Sequence, residues 1–246
     1  ARAGAPMLTP AGVQDLWGGS WRPVEGLFGL GPLVLASLGL AVVATALSVL
    51  LGLPAAVRLA LLAGVREARI GSGTLTLLAG LPSVIVGLAG LFLLVPVTGF
   101  SALSAILTLT LMTWPVYTLL LYTTLTQVVA EKVAAAEALG IPPRTAAYRI
   151  GLAEIRAAHV RILALVLGKA VGEATAVSLV GGNLAQTGWA LDPLAAVHTL
   201  TTMVLKDHGA AAGDHLAAVY VAALCLGGAI LTINLVGAVL ARRLGE

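Results

Sequence analysis

The sequence predicts an all-α, polytopic transmembrane helical bundle, and three observations carry that reading. Of 246 residues, 59% are hydrophobic and only 10% charged, against roughly a quarter charged in soluble domains, and the mean hydropathy is +1.02. The apolar segments are unbroken runs of about 20 residues, the length of a spanning helix. None alternates in the manner of the roughly 10-residue strands of a membrane barrel, so helical hydrogen bonds must satisfy the backbone in lipid. A single cysteine, Cys225, excludes an intrachain disulfide.

Residues 1–32 are rich in Gly and Pro, hold Trp17, Trp21 and Phe28, and show no helical period. They predict a water-exposed lead-in with aromatics at the membrane interface. Five spans follow: Leu33 to Leu51, Leu75 to Val95, Ala102 to Thr124, Ile162 to Val180 and Leu216 to Leu240. The second contains Leu81-Pro82-Ser83 and the third Trp114-Pro115; each proline removes a backbone hydrogen bond and predicts a kink. Between the last two spans, residues 182–214 form a loop of mixed polarity. In it, Asp192-Pro193 reads as an N-cap with proline at the first helical position, ahead of an amphipathic piece from Leu194 to Leu205. About a dozen residues cannot cross a bilayer, so that piece is expected to be re-entrant or interfacial. Residues 242–246 form a tail.

Five spans place successive loops on alternating sides. Arg58, Arg66, Arg69, Lys132, Arg144, Arg149, Arg156, Arg161, Arg242 and Arg243 then share one side, ten of the fourteen Lys and Arg. The positive-inside bias assigns that side to the cytoplasm, so membrane topology accounts for the net charge of +3 without nucleic acid. The same alternation puts the amino terminus outside although the chain starts at Ala1 without a signal sequence, which predicts a further spanning segment ahead of it.

Charge is concentrated between Glu131 and Glu173, where eleven acidic, basic or histidine side chains occur. The cytoplasmic segment 130–158 reads as short helices around Gly140. Ala134, Ala135 and Ala136 offer a face almost free of side chains, Gly140 can take the left-handed conformation that ends a helix, and Pro142-Pro143 can start the next. A face of small residues rimmed by Glu131, Glu137, Arg144 and Arg149 suits close approach of another protein; a solvated loop fits the residues equally well. Further on, Lys169 and Glu173 lie four apart inside an apolar run, with Gly168 and Gly172 at the spacing that lets a second helix approach. Charges within a membrane face a bundle interior or a water-filled path. The pair therefore either holds helix register as an ion pair or meets an anion, with Lys169 attracting it and Glu173 holding the lysine. Ser83 reads as cover for the kinked backbone with a secondary contact to the anion, and Asn183 as a cap on the fourth span. His198, His208 and His215, with Asp207 and Asp214, have no metal-ligand spacing and read as a solvated outer loop.

Several of these stretches resemble a known family. Ala134-Ala135-Ala136-x-x-x-Gly140, followed by Ile150-x-Leu152, resembles the Glu-Ala-Ala loop of ABC importer permeases, with Ala134 in place of the family's glutamate and Ala153 in place of a proline. Gly168-Lys169-Ala170-Val171-Gly172-Glu173-Ala174 with Gly181-Gly182-Asn183, Leu78 to Gly87, and Trp21-x-Pro23 with Phe28-Gly29 resemble segments of phosphate permeases of the PstC type. The resemblance implies a type I permease core that moves inorganic phosphate across the cytoplasmic (inner) membrane by alternating access. It also implies a loop that docks on an ATPase through Ala134, Ala135, Ala136, Gly140, Arg144, Ile150 and Leu152, with Glu137 standing in for the absent glutamate. The implied substrate path holds Lys169, Glu173, Ser83 and Asn183, Lys169 standing where the family has arginine. The implied partners are a homologous permease (PstA-like), two ATPase subunits (PstB-like) and an external phosphate-binding protein (PstS-like). The chain has no GxxxxGK[ST] loop, so ATP and Mg belong to the ATPase and the chain itself is a transport subunit with no cofactor, metal or catalytic residue. Permeases for molybdate, tungstate or sulfate share the loop and remain open as alternatives. More remote are an intramembrane enzyme or a scaffold.

Overall fold

A computed structural model describes residues 17–184 and 192–245. The lead-in forms a two-stranded antiparallel hairpin, β1 (Trp21–Arg22) and β2 (Leu27–Phe28), with Trp21 opposite Phe28. Nine principal helices follow among the described residues: α1 (Gly31–Val57), α2 (Val65–Ala79), α3 (Ser83–Leu93), α4 (Ala102–Val128), α5 (Ala130–Ala138), α6 (Arg156–Gly172), α7 (Thr175–Val180), α8 (Leu200–Asp207) and α9 (Gly213–Gly245). α1 runs on through a π-helical segment, Arg58–Leu62, and short helical turns occupy Val95–Thr98, Pro143–Thr145 and Leu152–Glu154.

Among the described residues, three helical stretches are long and apolar enough to cross a membrane: Gly31–Leu62, Ala102–Gln127 and Gly213–Gly245. The predicted second span is a helix pair, α2 and α3, bent by 91°. Pro82 has no N–H to continue the ladder and disfavours helical geometry at Leu81, so the expected kink is a full corner. The predicted fourth span begins six residues early, at Arg156, and breaks after Gly172. α4 stays continuous through Pro115; at that level Thr118 Oγ1 donates to the carbonyl of Trp114 at 2.7 Å.

The chain divides into two compact units. Among the described residues, the first comprises 17–42, 83–109, 171–184 and 192–230. Its apolar cluster joins Trp21, Leu30 and Leu33 to Leu200 and Met203 of α8 and to Ala218, Val219 and Ala222 of α9. α3 lies against α7 with almost no room between them, since a Cβ at Gly87 would stand 2.9 Å from Ala176 Cα and one at Gly90 3.1 Å from Val180 Cγ1; Gly90 also faces α4, where its Cβ would stand 2.4 Å from Thr108 Oγ1. Gly90→Val is therefore expected to destabilise the protein by about 1–3 kcal/mol through overpacking, read as a lower unfolding midpoint in detergent. The N–H groups at the start of α4 are satisfied from outside the helix. Ala102 donates to Ala195 O at 2.9 Å and Leu103 to Pro193 O at 2.7 Å, which ties the outer loop to a membrane helix.

The second unit comprises residues 43–82, 110–170 and 231–246. Its core gathers Ala56 and Val57 of α1, Tyr117, Leu121 and Leu125 of α4, Val133 and Ala136 of α5, and Ile162 and Val166 of α6. Gly52 lets α1 approach α4 closely, since a Cβ there would lie 2.5 Å from Thr118 Oγ1 and 2.6 Å from the Tyr117 ring. Ser48 Oγ and Thr113 Oγ1 join the same two helices through a buried 2.8 Å hydrogen bond. Large side chains along α9, among them Leu231, Leu235, Val236, Val239 and Leu240, remain exposed, as suits a helix facing lipid or another membrane subunit.

Candidate functional site

The segment from α5 to α6 builds the first candidate site. α5 ends where Gly140 takes φ +85°, the left-handed geometry glycine adopts without strain, and Pro142 and Pro143 open the next helical turn as expected. The alanine run is divided by the helical period: Ala134 and Ala135 are exposed, while Ala136 is buried in the core. Arg144 and Arg149 are exposed and Glu137 is half-buried. Ile150 and Leu152, by contrast, pack against the core cluster. They anchor the segment, leaving Ala134, Ala135, Gly140 and the two arginines as its open face. Lys132 pairs with Glu154 and so bridges α5 to the turn before α6.

Beneath that open face, Tyr117 Oη and His159 Nε2 share a 2.8 Å hydrogen bond between α4 and the first turn of α6. Nothing in the linear sequence signals this link, because the partners are 42 residues apart. Tyr117→Phe leaves the half-buried imidazole without its partner and is expected to lower stability by about 1–3 kcal/mol, measured by thermal unfolding of the solubilised protein.

The second candidate site surrounds the break after α6. Lys169 is exposed on that helix, although its neighbours Gly168 and Ala170 are buried. The sequence places Glu173 one turn further along the same helix, but α6 ends at Gly172, so the expected i, i+4 ion pair is replaced. Glu173 Oε1 instead accepts the N–H of Ala176 at 3.1 Å and caps the first turn of α7. The ion pairs among the described residues are Arg22–Glu25, Arg58–Glu67 and Lys132–Glu154, and His215 Nε2 lies 3.3 Å from Asp207 Oδ2. Gly172 does meet a neighbouring helix, with Ile230 Cδ1 3.2 Å from where its Cβ would stand. Ser83 is half-buried and opens α3 at the 91° corner.

Asn183 closes the far end of α7 as expected: it takes φ +50° and its Nδ2 donates to Ser178 O at 2.6 Å. Gly182 precedes it at φ +82°, where a Cβ would be 2.9 Å from that of Ala196, so only glycine fits between α7 and the returning loop. That loop pairs with the glycines through a parallel bridge, Gly182 with Val197.

Two expectations for the outer loop are corrected. Asp192 does not cap a helix; its Oδ1 accepts the N–H of Leu194 at 2.9 Å in a tight turn. α8 starts only at Leu200, N-capped by Thr199 in a reciprocal capping box with Thr202. Nor is the histidine loop solvated throughout: His208 and Asp214 are exposed as expected, but His198 is buried and His215 half-buried. His198 is buried at 6% exposure, and burial pushes its imidazole below the ordinary value, with opposing smaller effects from Asp207 and Lys206. His215 pairs with Asp207 at 3.3 Å, and the same carboxylate oxygen accepts Trp21 Nε1–H at 2.9 Å. The hairpin is thereby fastened to α8 and α9. Sequence periodicity misses these contacts because three chain segments must meet to make them.

Among the described residues, no group of three or more His, Cys, Asp or Glu side chains is placed to hold a metal ion.

Comparison with known proteins places this geometry. Residues 48–246 match the family model described as binding-protein-dependent transport system inner membrane component. Two curated relatives, each a phosphate transport system permease protein PstC, come from Xylella fastidiosa strains Temecula1 and 9a5c. They are 27% identical over 270 residues and 28% identical over 267, in both cases across 97% of this chain and 80% of the relative. Two solved structures of the MetNI methionine ABC transporter in inward-facing conformations share the fold. The native crystal form superposes with a TM-score of 0.73 at 17% identity, over 92% of this chain and all of the other. The selenomethionine-soaked form gives 0.68 at 17% identity, over 99% of this chain and all of the other.

Proposed function

We propose that this chain, which belongs to the family of inner membrane components of binding-protein-dependent transport systems, translocates inorganic phosphate. As the multi-pass permease of an ABC importer it works with an ATPase and a binding protein. The finer assignment is a PstC-type subunit beside a PstA-like permease, with two PstB-like ATPases that bind ATP and Mg, and a PstS-like phosphate-binding protein outside. Similarity to two PstC permeases over nearly the whole chain supports it.

The observation that carries the mechanism is Lys169, exposed on α6 in a run of apolar residues. A lysine at that level costs several kcal/mol against lipid, so it faces the second permease or a water-filled path. There it supplies a point charge for an oxyanion, less demanding of geometry than a guanidinium fork. Just beyond the helix break, Glu173 caps the first turn of α7.

Coupling to ATP begins at the open face of α5. ATP binding draws the ATPases together and displaces this segment. Its buried side, Val133, Ala136, Ala146, Ala147 and Ile155, belongs to one packed cluster with α1, α4 and α6. Packed interiors transmit displacement with little compression, so a push on Ala134 and Ala135 reaches the helix that bears Lys169. The test is ATP-driven uptake of radiolabelled phosphate into proteoliposomes holding the assembled transporter and its binding protein. Uptake of another oxyanion in place of phosphate would overturn the substrate assignment.

A further inference from the structure

The polar groups around the break between α6 and α7 are almost all partnered within the first unit. The carbonyl of Glu173 accepts Thr201 Oγ1 at 3.2 Å and its carboxylate accepts Ala176 N at 3.1 Å. Ser37 Oγ accepts the N–H of Leu200 at 2.9 Å, and Thr199 and Thr202 cap one another. The start of α8 thus has its own side-chain caps. What remains is specific: both ring nitrogens of His198 and the side-chain oxygen of Asn183 are buried without a hydrogen-bond partner. The two residues are neighbours in the loop pairing, each following a member of the Gly182–Val197 bridge, with Asn183 N donating to Val197 O at 3.2 Å.

The orientation of the Asn183 amide is determined by its partner. Ser178 O can only accept, so the group 2.6 Å from it is the NH₂ and the free atom is the carbonyl oxygen. A buried polar atom left unpaired is unfavourable, and His198 and Asn183, which follow the paired residues of the Gly182–Val197 bridge, carry three such atoms. Burial keeps the His198 imidazole neutral, so it offers one N–H donor and one lone pair. Together the free groups comprise one donor and two acceptors. A fully deprotonated tetrahedral oxyanion such as sulfate has only acceptors, and it would set its oxygens against two lone pairs. Hydrogen phosphate keeps at least one P–OH near neutral pH and can both give and receive a hydrogen bond here.

We propose that His198 and the side-chain oxygen of Asn183 form a subsite that selects proton-bearing tetrahedral oxyanions over proton-free ones. This rests on the reading of the chain as an oxyanion permease and adds a specificity residue, His198, to it. The donor serves an anionic oxygen, and an acceptor takes the P–OH. No covalent step is involved.

The test is equilibrium binding of radiolabelled phosphate to the permease complex in lipid nanodiscs without the external binding protein. Arsenate, sulfate and monofluorophosphate serve as competitors. Monofluorophosphate replaces the hydroxyl of hydrogen phosphate with fluorine and so removes the P–OH donor while keeping the tetrahedral shape and the double negative charge. Arsenate is expected to compete within about threefold of phosphate itself, while sulfate and monofluorophosphate need at least about tenfold more, since an oxyanion lacking the proton leaves a buried acceptor unpaired. In variants, His198→Leu is expected to weaken phosphate binding about tenfold or more. His198→Gln, which keeps a donor and an acceptor, is expected to stay within about threefold. Sulfate or monofluorophosphate competing as well as arsenate would overturn the proposal, as would unchanged phosphate affinity in His198→Leu. The competition uses the unsubstituted protein and so does not depend on the variants folding. If the wild-type complex binds a different substrate and no phosphate, the phosphate reading itself fails; if it binds phosphate without this selectivity, only the subsite does.

Discussion

Replacing Lys169 with alanine is expected to reduce ATP-driven phosphate uptake at least about tenfold, equivalent to about 1.4 kcal/mol, while the protein inserts and assembles normally. The side chain is exposed on α6 and belongs to none of the ion pairs among the described residues, so its removal disturbs no internal packing. What disappears is the positive charge that offsets the desolvation of an anion. Lys169→Arg keeps the charge and adds bidentate donors, and is expected to keep most of the uptake. Uptake is measured in proteoliposomes, with permease content determined by immunoblot. Wild-type uptake by Lys169→Ala would remove this residue from the path and leave it as a contact to the second permease. The same pair of variants separates charge from shape: loss in both would mean that the ammonium's size matters, as in a tight interface.

Ala135→Trp is expected to uncouple the transporter. Ala135 is exposed on α5, so an indole there does not enter the core and the thermal transition should stay within about 0.5 kcal/mol of wild type. A face built of small side chains accepts a partner's backbone closely, and a large ring prevents that approach. Co-purification of the ATPase and substrate-stimulated ATP hydrolysis should both fall at least about tenfold, corresponding to about 1.4 kcal/mol of lost association. Ala136→Trp supplies the contrast, because Ala136 is buried against the core. That substitution should lower stability by about 1–3 kcal/mol before coupling can be read. Equal ATPase binding by Ala135→Trp and wild type would place the docking face elsewhere on the cytoplasmic side.

The helical class, the first, third and fifth spans and the short helices around Gly140 were legible in the sequence, whereas the second span is a bent helix pair and the fourth is broken at Gly172. Each depends on a local quantity: the apolar length needed to span lipid, the left-handed conformation open to glycine, and the missing N–H of proline. The sequence also singles out Lys169 and Glu173, since charge inside an apolar run is visible without coordinates. Their relation was not legible. A helix through residue 173 would pair them, but the chain breaks at Gly172, and Glu173 spends its carboxylate on the backbone of α7.

The outer loop shows the boundary most clearly. Asp192-Pro193 satisfies every local rule for a helix start, yet α8 begins at Leu200. There the Thr199–Thr202 capping box and Ser37 Oγ serve its first N–H groups, while the carbonyls of Pro193 and Ala195 receive the N–H groups that open α4. Composition alone made His198 and His215 solvent-facing residues, whereas one is buried and the other joins Trp21 on Asp207. The sequence by itself determined that this is a membrane bundle and where a run of small residues lies along it. These follow from transfer free energies and backbone geometry, which act residue by residue. Only the tertiary structure decided which polar groups are paired and which are left free, because a hydrogen bond inside a bundle depends on segments distant in the chain arriving within about 3 Å of each other.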